Sequence, residues 1–270
     1  MLRINLRDTN FAHHPPGQSM AYKHYPSFFK WERENIMVSD SVFITDNCLQ
    51  DVDRFKSKRK IALLIEPPVI APHIYDYVNQ NHKKFDYILT YNKDLLNTGR
   101  NFLFYSACCS WITDISQPVK SKLCSMIASD KKFTEGHKFR AQVIEKFGRS
   151  VDHYGHGYRS IETKEEGLKD YSFSIIMENS KQDYYFSEKL IDCLMTKTIP
   201  IYWGANISEF FNMEGILTFN SLEELDNILK NISTLMYEEK HNAIEDNFRK
   251  AQDFKIPEDW LYKKYKFLFT

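Results

Sequence analysis

Along this chain apolar residues come in short runs with the length of buried strands, and between several of these the spacing lengthens to that of a helix with one apolar face. The pattern is clearest over 171–219, which reads as a β-α-β-α-β run. Residues 173–177 and 199–203 are Ile-containing runs of strand length. Between them, 187–197 places Leu190, Ile191, Leu194 and Met195 on one helical face, with Glu188, Lys189, Asp192 and Lys197 off that face or at its edge. A parallel strand-helix-strand unit is expected.

The remaining chain repeats the alternation. Strands are predicted over 2–6, 41–46, 60–65, 85–91, 122–128 and 151–154, with 102–111 as the last strand and ligand-lining turn of the first half. Residues 22–31 are aromatic but have no period, which predicts irregular structure, and His13-His14-Pro15-Pro16-Gly17 forbids helix. In the second half, Phe139, Val143, Ile144 and Phe147 give a helical face within 137–147. Ser221 and Glu224 form a capping box for a helix over 222–232, and helical spacing continues through 248 and again over 258–269. Strands alternating with helices indicate an α/β fold. The best linker is 114–119, which contains Pro118; it places a boundary near Gln117 and gives domains of 1–117 and 118–270. A chain of 270 residues is long enough for two such domains, each with its own core.

The charge balance gives no reason to expect two partner classes, though it leaves room for a local basic site. Lys plus Arg and Asp plus Glu are both 36, so no net field favours nucleic acid or an anionic membrane. No stretch approaches the roughly 20 apolar residues of a membrane span, and the first residues lack the apolar centre of a signal peptide. Five cysteines without Cys-x-x-Cys spacing indicate neither a disulfide frame nor a zinc site, so reduced thiols in the cytoplasm are expected.

Parallel units bind ligands beyond the carboxyl ends of their strands, where helix N-termini point. Glu178, Asn179, Ser180, Tyr184, Tyr185, Ser187, Glu188 and Lys189 cluster at that end of the 171–219 run. A lysine in a first helical turn is badly placed for the helix dipole unless an anion compensates it. Lys189 therefore either meets a phosphate or points into water, and the residues alone leave both open. Glu66 closes an apolar run at its carboxyl end and is followed by Pro67 and Pro68, which hold the chain extended. It is either a carboxylate at the ligand end or one that is solvated or caps the 75–80 segment. Asp51 and Asp53 have the spacing of a metal-diphosphate pair, but they precede the basic run 54–60 instead of closing an apolar strand, so they read as surface residues. Gly155 and Gly157 would allow close approach of backbone to a ligand.

Glu178-Asn179-Ser180, Tyr185, Ser187-Glu188-Lys189, a helix and then the Ile-Pro-Ile-Tyr-Trp-Gly of 199–204 resemble the donor-binding signature of the α1,3/α1,4-fucosyltransferases. The 65–68 stretch followed by 85–91 resembles that family's Glu-Ser-Pro segment, whose Glu is taken as the catalytic base; here Pro67 stands where Ser is usual. Arg140 and Ser129 resemble its phosphate-contacting Arg and loop Ser. The resemblance implies a GT-B fold of two Rossmann-like domains facing across a cleft, with GDP held by the C-terminal domain and the terminal helix returning to the first. It also implies an inverting glycosyltransferase moving L-fucose from GDP-fucose to a hydroxyl of a glycan acceptor. Glu66 would be the base, and Arg140, Lys189 and the helix start near Ser187 would hold the diphosphate. Glu188 would take the ribose hydroxyls, while Asn179 and Tyr185 would position phosphate or sugar beside Glu178 and Ser129. No obligatory metal is expected. Without a membrane anchor the chain looks like the soluble bacterial or viral kind. Two alternatives stand: the same scaffold with GDP-mannose or a pentose nucleotide, and a non-catalytic nucleotide- or glycan-binding protein, which would have no use for a carboxylate at Glu66.

Overall fold

The apolar runs assemble, in the computed structural model, into two all-parallel sheets. The structure describes all residues except Tyr22, 34–36, Ile115, Gln117, Pro118 and Thr270. The boundary expected near Gln117 and the Pro118 of the expected linker therefore lie outside the described residues, as does Tyr22 of the aromatic stretch. Two compact units divide between Cys109 and Ser110: Met1–Cys109 with Asp183–Tyr185 and Ile256–Thr270, and Ser110–Gln182 with Phe186–Lys255.

In the first unit β1 (Leu2–Arg7), β2 (Phe29–Glu32), β3 (Ser41–Thr45), β4 (Arg59–Leu63), β5 (Tyr87–Thr90) and β6 (Phe102–Phe104) pair in the order β2-β1-β3-β4-β5-β6. Every residue of β3 is buried, as a parallel strand covered on both faces requires. One face packs Val42, Ile44 and Ala62 against α1 (Pro72–Asn81), whose Pro72 sits in the first turn where a missing N–H costs nothing; α2 (Lys93–Leu96) follows β5. The other face packs Ile4, Phe29, Trp31, Phe43 and Ile61 against the chain's last residues, including Leu261 and Leu268. β2 begins within the stretch 22–31 expected to be irregular: Phe29 and Trp31 are both buried under those terminal residues. There Glu258 is a buried carboxylate that accepts from Met20 N at 2.7 Å, from Trp31 Nε1 at 2.9 Å and from the Ser19 hydroxyl.

In the second unit β7 (Lys122–Ile127), β8 (Asp152–Tyr154), β9 (Tyr171–Met177), β10 (Ile199–Trp203) and β11 (Leu217–Thr218) pair in the order β11-β10-β9-β7-β8. β9 is central and buried throughout. Between β7 and β8 runs α3 (Glu135–Phe147), which buries Val143 and Phe147 on the sheet; between β9 and β10 runs α4 (Glu188–Met195), whose Leu190, Ile191, Leu194 and Met195 are all buried. Pro200 lies in β10 below the two residues paired by β11, where the missing donor breaks no bond to that strand. The second helix expected in the 171–219 run is absent. Asn206 and Asn212 instead accept from Ser208 N and Glu214 N at 3.0 Å each, side-chain turns that divert the backbone into a turn at Ile207 and one 3-10 turn. Helices α5 (Leu222–Asn231), α6 (Thr234–Glu239) and α7 (His241–Asp253) complete this unit, and α8 (Pro257–Lys264) belongs to the first. Among the described residues no helix is long and apolar enough to cross a membrane.

Candidate active site

The second sheet reverses its winding between neighbouring strands β7 and β9. From β7 the chain moves to β8 on one side; from β9 it moves to β10 and β11 on the other. The helices leaving these two strands diverge, and the space beyond the strand ends is where open α/β sheets bind ligands. A cavity of about 220 Å³ lies there, lined by Ala128 and Ser129 after β7, Gly155 and His156 after β8, Met177 ending β9, Arg140 of α3, Glu188, Lys189 and Asp192 of α4, and Lys164.

Its floor depends on Gly155. That residue has φ +113°, and a Cβ on it would lie 2.0 Å from Ala128 O. The close approach extends the β7–β8 pairing past the strands, with Ala128 N donating to Tyr154 O at 2.9 Å and Asp130 N to His156 O at 3.2 Å. Only glycine meets both demands.

The wall is set by Glu178, the first residue after β9. Its carboxylate is fully buried and accepts from Ser187 N at 2.9 Å and Ser187 Oγ at 2.6 Å. Ser187 is the N-cap of α4, and its Oγ in turn accepts from Lys189 N and Nζ at 3.4 and 3.1 Å. Glu178 and Ser187 thus join the strand end to the helix start behind the cavity, and neither lines it. Burial raises the Glu178 pKa against the pull of Lys189 and Ser187. Asn179 acts through its carbonyl, which accepts from Gly136 N at 3.1 Å and docks the start of α3. Arg140, buried on α3, donates from Nη2 to Met177 O at 2.7 Å.

Two further groups join the expected ones. Lys164 Nζ donates to Asp192 at 2.7 Å, pairs with Glu188 at 3.4 Å and lies 4.2 Å over the Trp111 ring. Asp192, expected at the edge of the helix face, is fully buried because it has partners for both oxygens: Oδ2 takes Lys164, and Oδ1 takes Ser110 Oγ at 2.9 Å and Trp111 N at 2.7 Å. Burial would raise the pKa of Glu188, but Lys189 and Lys164 outweigh it and hold this carboxylate well below the usual range. Burial and the charges of Arg140, Lys131 and Lys189 push His137 down to about 4, so the imidazole beside this site is neutral. The cavity is a positive, partly enclosed pocket at a helix N-terminus, which can hold a phosphate or diphosphate.

Of the expected residues, then, Ser129, Arg140, Glu188 and Lys189 meet at one cavity. Tyr185 instead groups with the first unit, its ring 5.3 Å from that of Tyr91. Glu66 also lies in the first unit, three residues beyond the end of β4 instead of closing the strand itself. Its N–H is accepted by Asp46 at 3.3 Å and its carbonyl accepts from Tyr75 Oη at 2.9 Å. Asp51 accepts from Arg7 at 2.7 Å and pairs with Arg54 at 3.0 Å, and Asp53 pairs with Lys84 at 2.5 Å. The only sequence sign of Lys164 is the Thr-x-x-Glu capping box of its turn, Thr163 to Glu166; nothing local shows where the lysine points.

Residues 117–266 match the model of the glycosyltransferase family 10 (fucosyltransferase) C-terminal domain. A curated relative, the alpha-(1,3)-fucosyltransferase FucT of Helicobacter pylori, is 30% identical over 132 residues, covering 47% of this chain and 27% of the relative. A putative fucosyltransferase-like protein of Arabidopsis thaliana is 31% identical over 136 residues, covering 47% of this chain and 26% of its own length. The matched stretch thus spans about a quarter of either relative. Among solved structures, that of an alpha1,3-fucosyltransferase superposes with a TM-score of 0.60 at 18% identity, covering 99% of this chain and 88% of that one, and the same kind of protein with GDP gives 0.59. This likeness bears on the fold, which is of the expected GT-B type.

Proposed function

The chain belongs to glycosyltransferase family 10, and from that premise we propose that it is an inverting glycosyltransferase moving L-fucose from GDP-fucose to a hydroxyl of a glycan acceptor. One observation carries the donor half of this reading: Arg140, Lys164 and Lys189 converge with the α4 N-terminus on a cavity at the winding reversal of the second sheet. As the anomeric carbon separates from the diphosphate, negative charge grows on the leaving oxygen. Cations and N–H groups fixed in place beforehand stabilise that charge without reorganising. Arg140 offers a planar fork and the lysines point charges, which together suit a diphosphate. Glu188, held ionised, is an acceptor for ribose hydroxyls. Glu66 takes the proton of the acceptor hydroxyl as that oxygen attacks from the face opposite the diphosphate. The five cysteines, all free thiols, suit a reducing compartment, and a cytoplasmic setting is part of the proposal.

Calorimetric titration with GDP, GDP-fucose, GDP-mannose and UDP-sugars tests the donor, and Glu66→Gln tests the base. Gln keeps shape and hydrogen bonding but cannot accept the proton. Donor affinity is expected to stay and turnover to fall roughly 10²–10⁴-fold. A Gln variant with near-normal kcat moves the base elsewhere; a wild type that binds GDP yet turns over no nucleotide sugar makes the chain a binding protein.

A further inference from the structure

The first sheet also reverses its winding, between β1 and β3: β1 leads to β2 at one edge, whereas β3 leads the other way through β4, β5 and β6. The residue that follows β3 at this reversal is Asp46. Its φ is +29°, a conformation that few non-glycine residues adopt and that Asp and Asn tolerate best. It is 2% exposed, and its carboxylate is fully engaged. Oδ1 accepts from Ile65 N at 2.9 Å; Oδ2 accepts from Glu66 N at 3.3 Å and from Asn10 Nδ2 at 2.7 Å. One side chain therefore joins the segments that follow β1, β3 and β4. Strained backbone persists where its surroundings over-determine it, and such positions cluster at functional sites.

We propose that Asp46 is a positioning residue for Glu66, clamping the peptide that bears its carboxylate. The proposal rests on the reading of Glu66 as the base. Its ground is geometric. With the Glu66 N–H held by Asp46, its carbonyl held by Tyr75 and the next φ fixed by Pro67, the backbone that bears the Glu66 carboxylate is fixed on both sides. Electrostatics sets the charge state of the clamp. The titratable groups acting with Asp46 are Glu66 after β4, Tyr75 on α1, Tyr91 after β5 and Tyr105 after β6, while Asp8, on the Asn10 loop, is paired with Arg33 at 3.7 Å and accepts from Thr45 Oγ1 at 2.9 Å. Burial, with Glu66 adding, pushes Asp46 up to about 7 against the pull of its hydrogen bonds. A like charge disfavours ionisation of its neighbour. Asp46 is therefore the carboxyl that holds its proton up to about pH 7, while Glu66 bears the charge that helps to raise it.

The test uses two substitutions with different structural consequences. Asp46→Asn keeps the shape and one acceptor but loses the other; Asp46→Gly relaxes the positive φ and removes the clamp. Kinetics, the pH profile of kcat, thermal unfolding and GDP affinity are measured for each, alone and for Asp46→Asn in the Glu66→Gln background. Both single variants are expected to remain folded and to bind GDP as the wild type does, with kcat lowered about 10- to 100-fold, the loss that misplacing a reacting group brings. In Asp46→Asn the acid limb of the pH profile is expected where the wild type has it, because Asp46, raised to about 7, is mostly uncharged well below that pH, and the loss is expected in kcat rather than KM. Added to Glu66→Gln, Asp46→Asn is expected to cost almost nothing, since a residue acting through another has nothing left to act on. Unchanged kcat in both single variants overturns the proposal, as does a full additive loss in the double variant. Near-normal kcat in Glu66→Gln alone overturns the base itself and this proposal with it, which separates the two failures.

Discussion

Gly136→Ala sets two physical effects against each other, and the structure decides between them. Gly136 is in the first turn of α3, where alanine raises helix propensity by up to about 1 kcal/mol. The added Cβ, however, would lie 2.0 Å from Glu178 O and 2.9 Å from Asn179 C and O. Ordinary contact requires the helix start or the strand end to retreat by more than about 1 Å. Neither moves freely. Gly136 N donates to Asn179 O at 3.1 Å, Glu178 N to Trp203 O at 2.9 Å, and Arg140 Nη2, one turn along the helix, to Met177 O at 2.7 Å. Overpacking costs about 1–3 kcal/mol, and weakening one neutral and one charged hydrogen bond adds about 2 kcal/mol. After the propensity gain, about 2–4 kcal/mol of destabilisation is left, and at roughly 2–4 °C per kcal/mol for a domain of this size Tm falls by about 5–15 °C. Because Arg140 moves with α3, GDP affinity falls as well, by about tenfold or more for a displaced charge-assisted contact. Thermal unfolding followed by circular dichroism reads the first effect and calorimetry the second. An Ala variant as stable as the wild type, with unchanged GDP binding, would refute the docking of α3 on Glu178 and Asn179 as the device that sets Arg140.

Lys189→Ala is expected to weaken GDP binding by about 2 kcal/mol in calorimetry, the size of a lost charge-assisted contact, and an unchanged Kd would remove Lys189 from the donor site. Transfer is expected to survive EDTA, and the Asp51→Asn/Asp53→Asn double variant to stay active, because both carboxylates are engaged by Arg7, Arg54 and Lys84; a strict Mg²⁺ or Mn²⁺ requirement lost in that variant would reverse this. His137 titrates at about 4 in the fold against the ordinary histidine value of 6.5, so its contribution to stability is present above pH 6.5 and lost as pH falls from there towards 4, where the unfolded chain takes up a proton that the fold refuses. His137→Gln keeps a capping partner at that position and is expected to lose less stability than the wild type over that window. The comparison must be made between the two proteins, since Asp46, raised to about 7, acts in the opposite direction over the same pH range.

The parts of the site that are legible in the sequence are those built within one element. Ser187, Glu188 and Lys189 are consecutive at the start of α4, and their spacing alone places them beyond the end of β9. Arg140 comes from α3, and only a resemblance connects it to them. Lys164 and Asp192 escaped because their meaning is in a contact across 28 residues, made by a turn whose direction no periodicity encodes. Asp192 sits at the edge of an apolar face, where a solvated carboxylate is the ordinary outcome; here it is buried because Lys164, Ser110 and Trp111 converge on it. β2 was hidden for a related reason: Phe29 and Trp31 are covered by residues more than 200 positions away, and Glu258 reaches back to bond the Trp31 indole. Asp46 and Glu66 both stand out locally as carboxylates after apolar runs. Their hydrogen bond depends on β3 and β4 being neighbours, which is a property of the sheet.

The chain as a whole is neutral, so the attraction of an anion to the donor cavity has to be made locally. Arg140, Lys164 and Lys189 supply three positive charges, and Glu188 and Asp192 are the carboxylates that line the same space. Glu188 stays ionised between its two lysines, while burial raises Asp192 against the pull of Lys164, so the surplus is at least one positive charge before the N-terminus of α4 adds about half of another. His137 feels the same cations: burial first, and then the charges of Arg140, Lys131 and Lys189, keep it neutral. The carboxylates restrain the cations as well as offsetting them. Each lysine has a protein partner that fixes its position, so an arriving diphosphate meets charges already in place, and the entropy of ordering two long side chains is not charged to binding. Glu178 is buried behind the wall and does not line the cavity. Placed there, it orders Ser187 and through it Lys189, and burial, by raising its pKa, limits the negative charge it sets against that lysine.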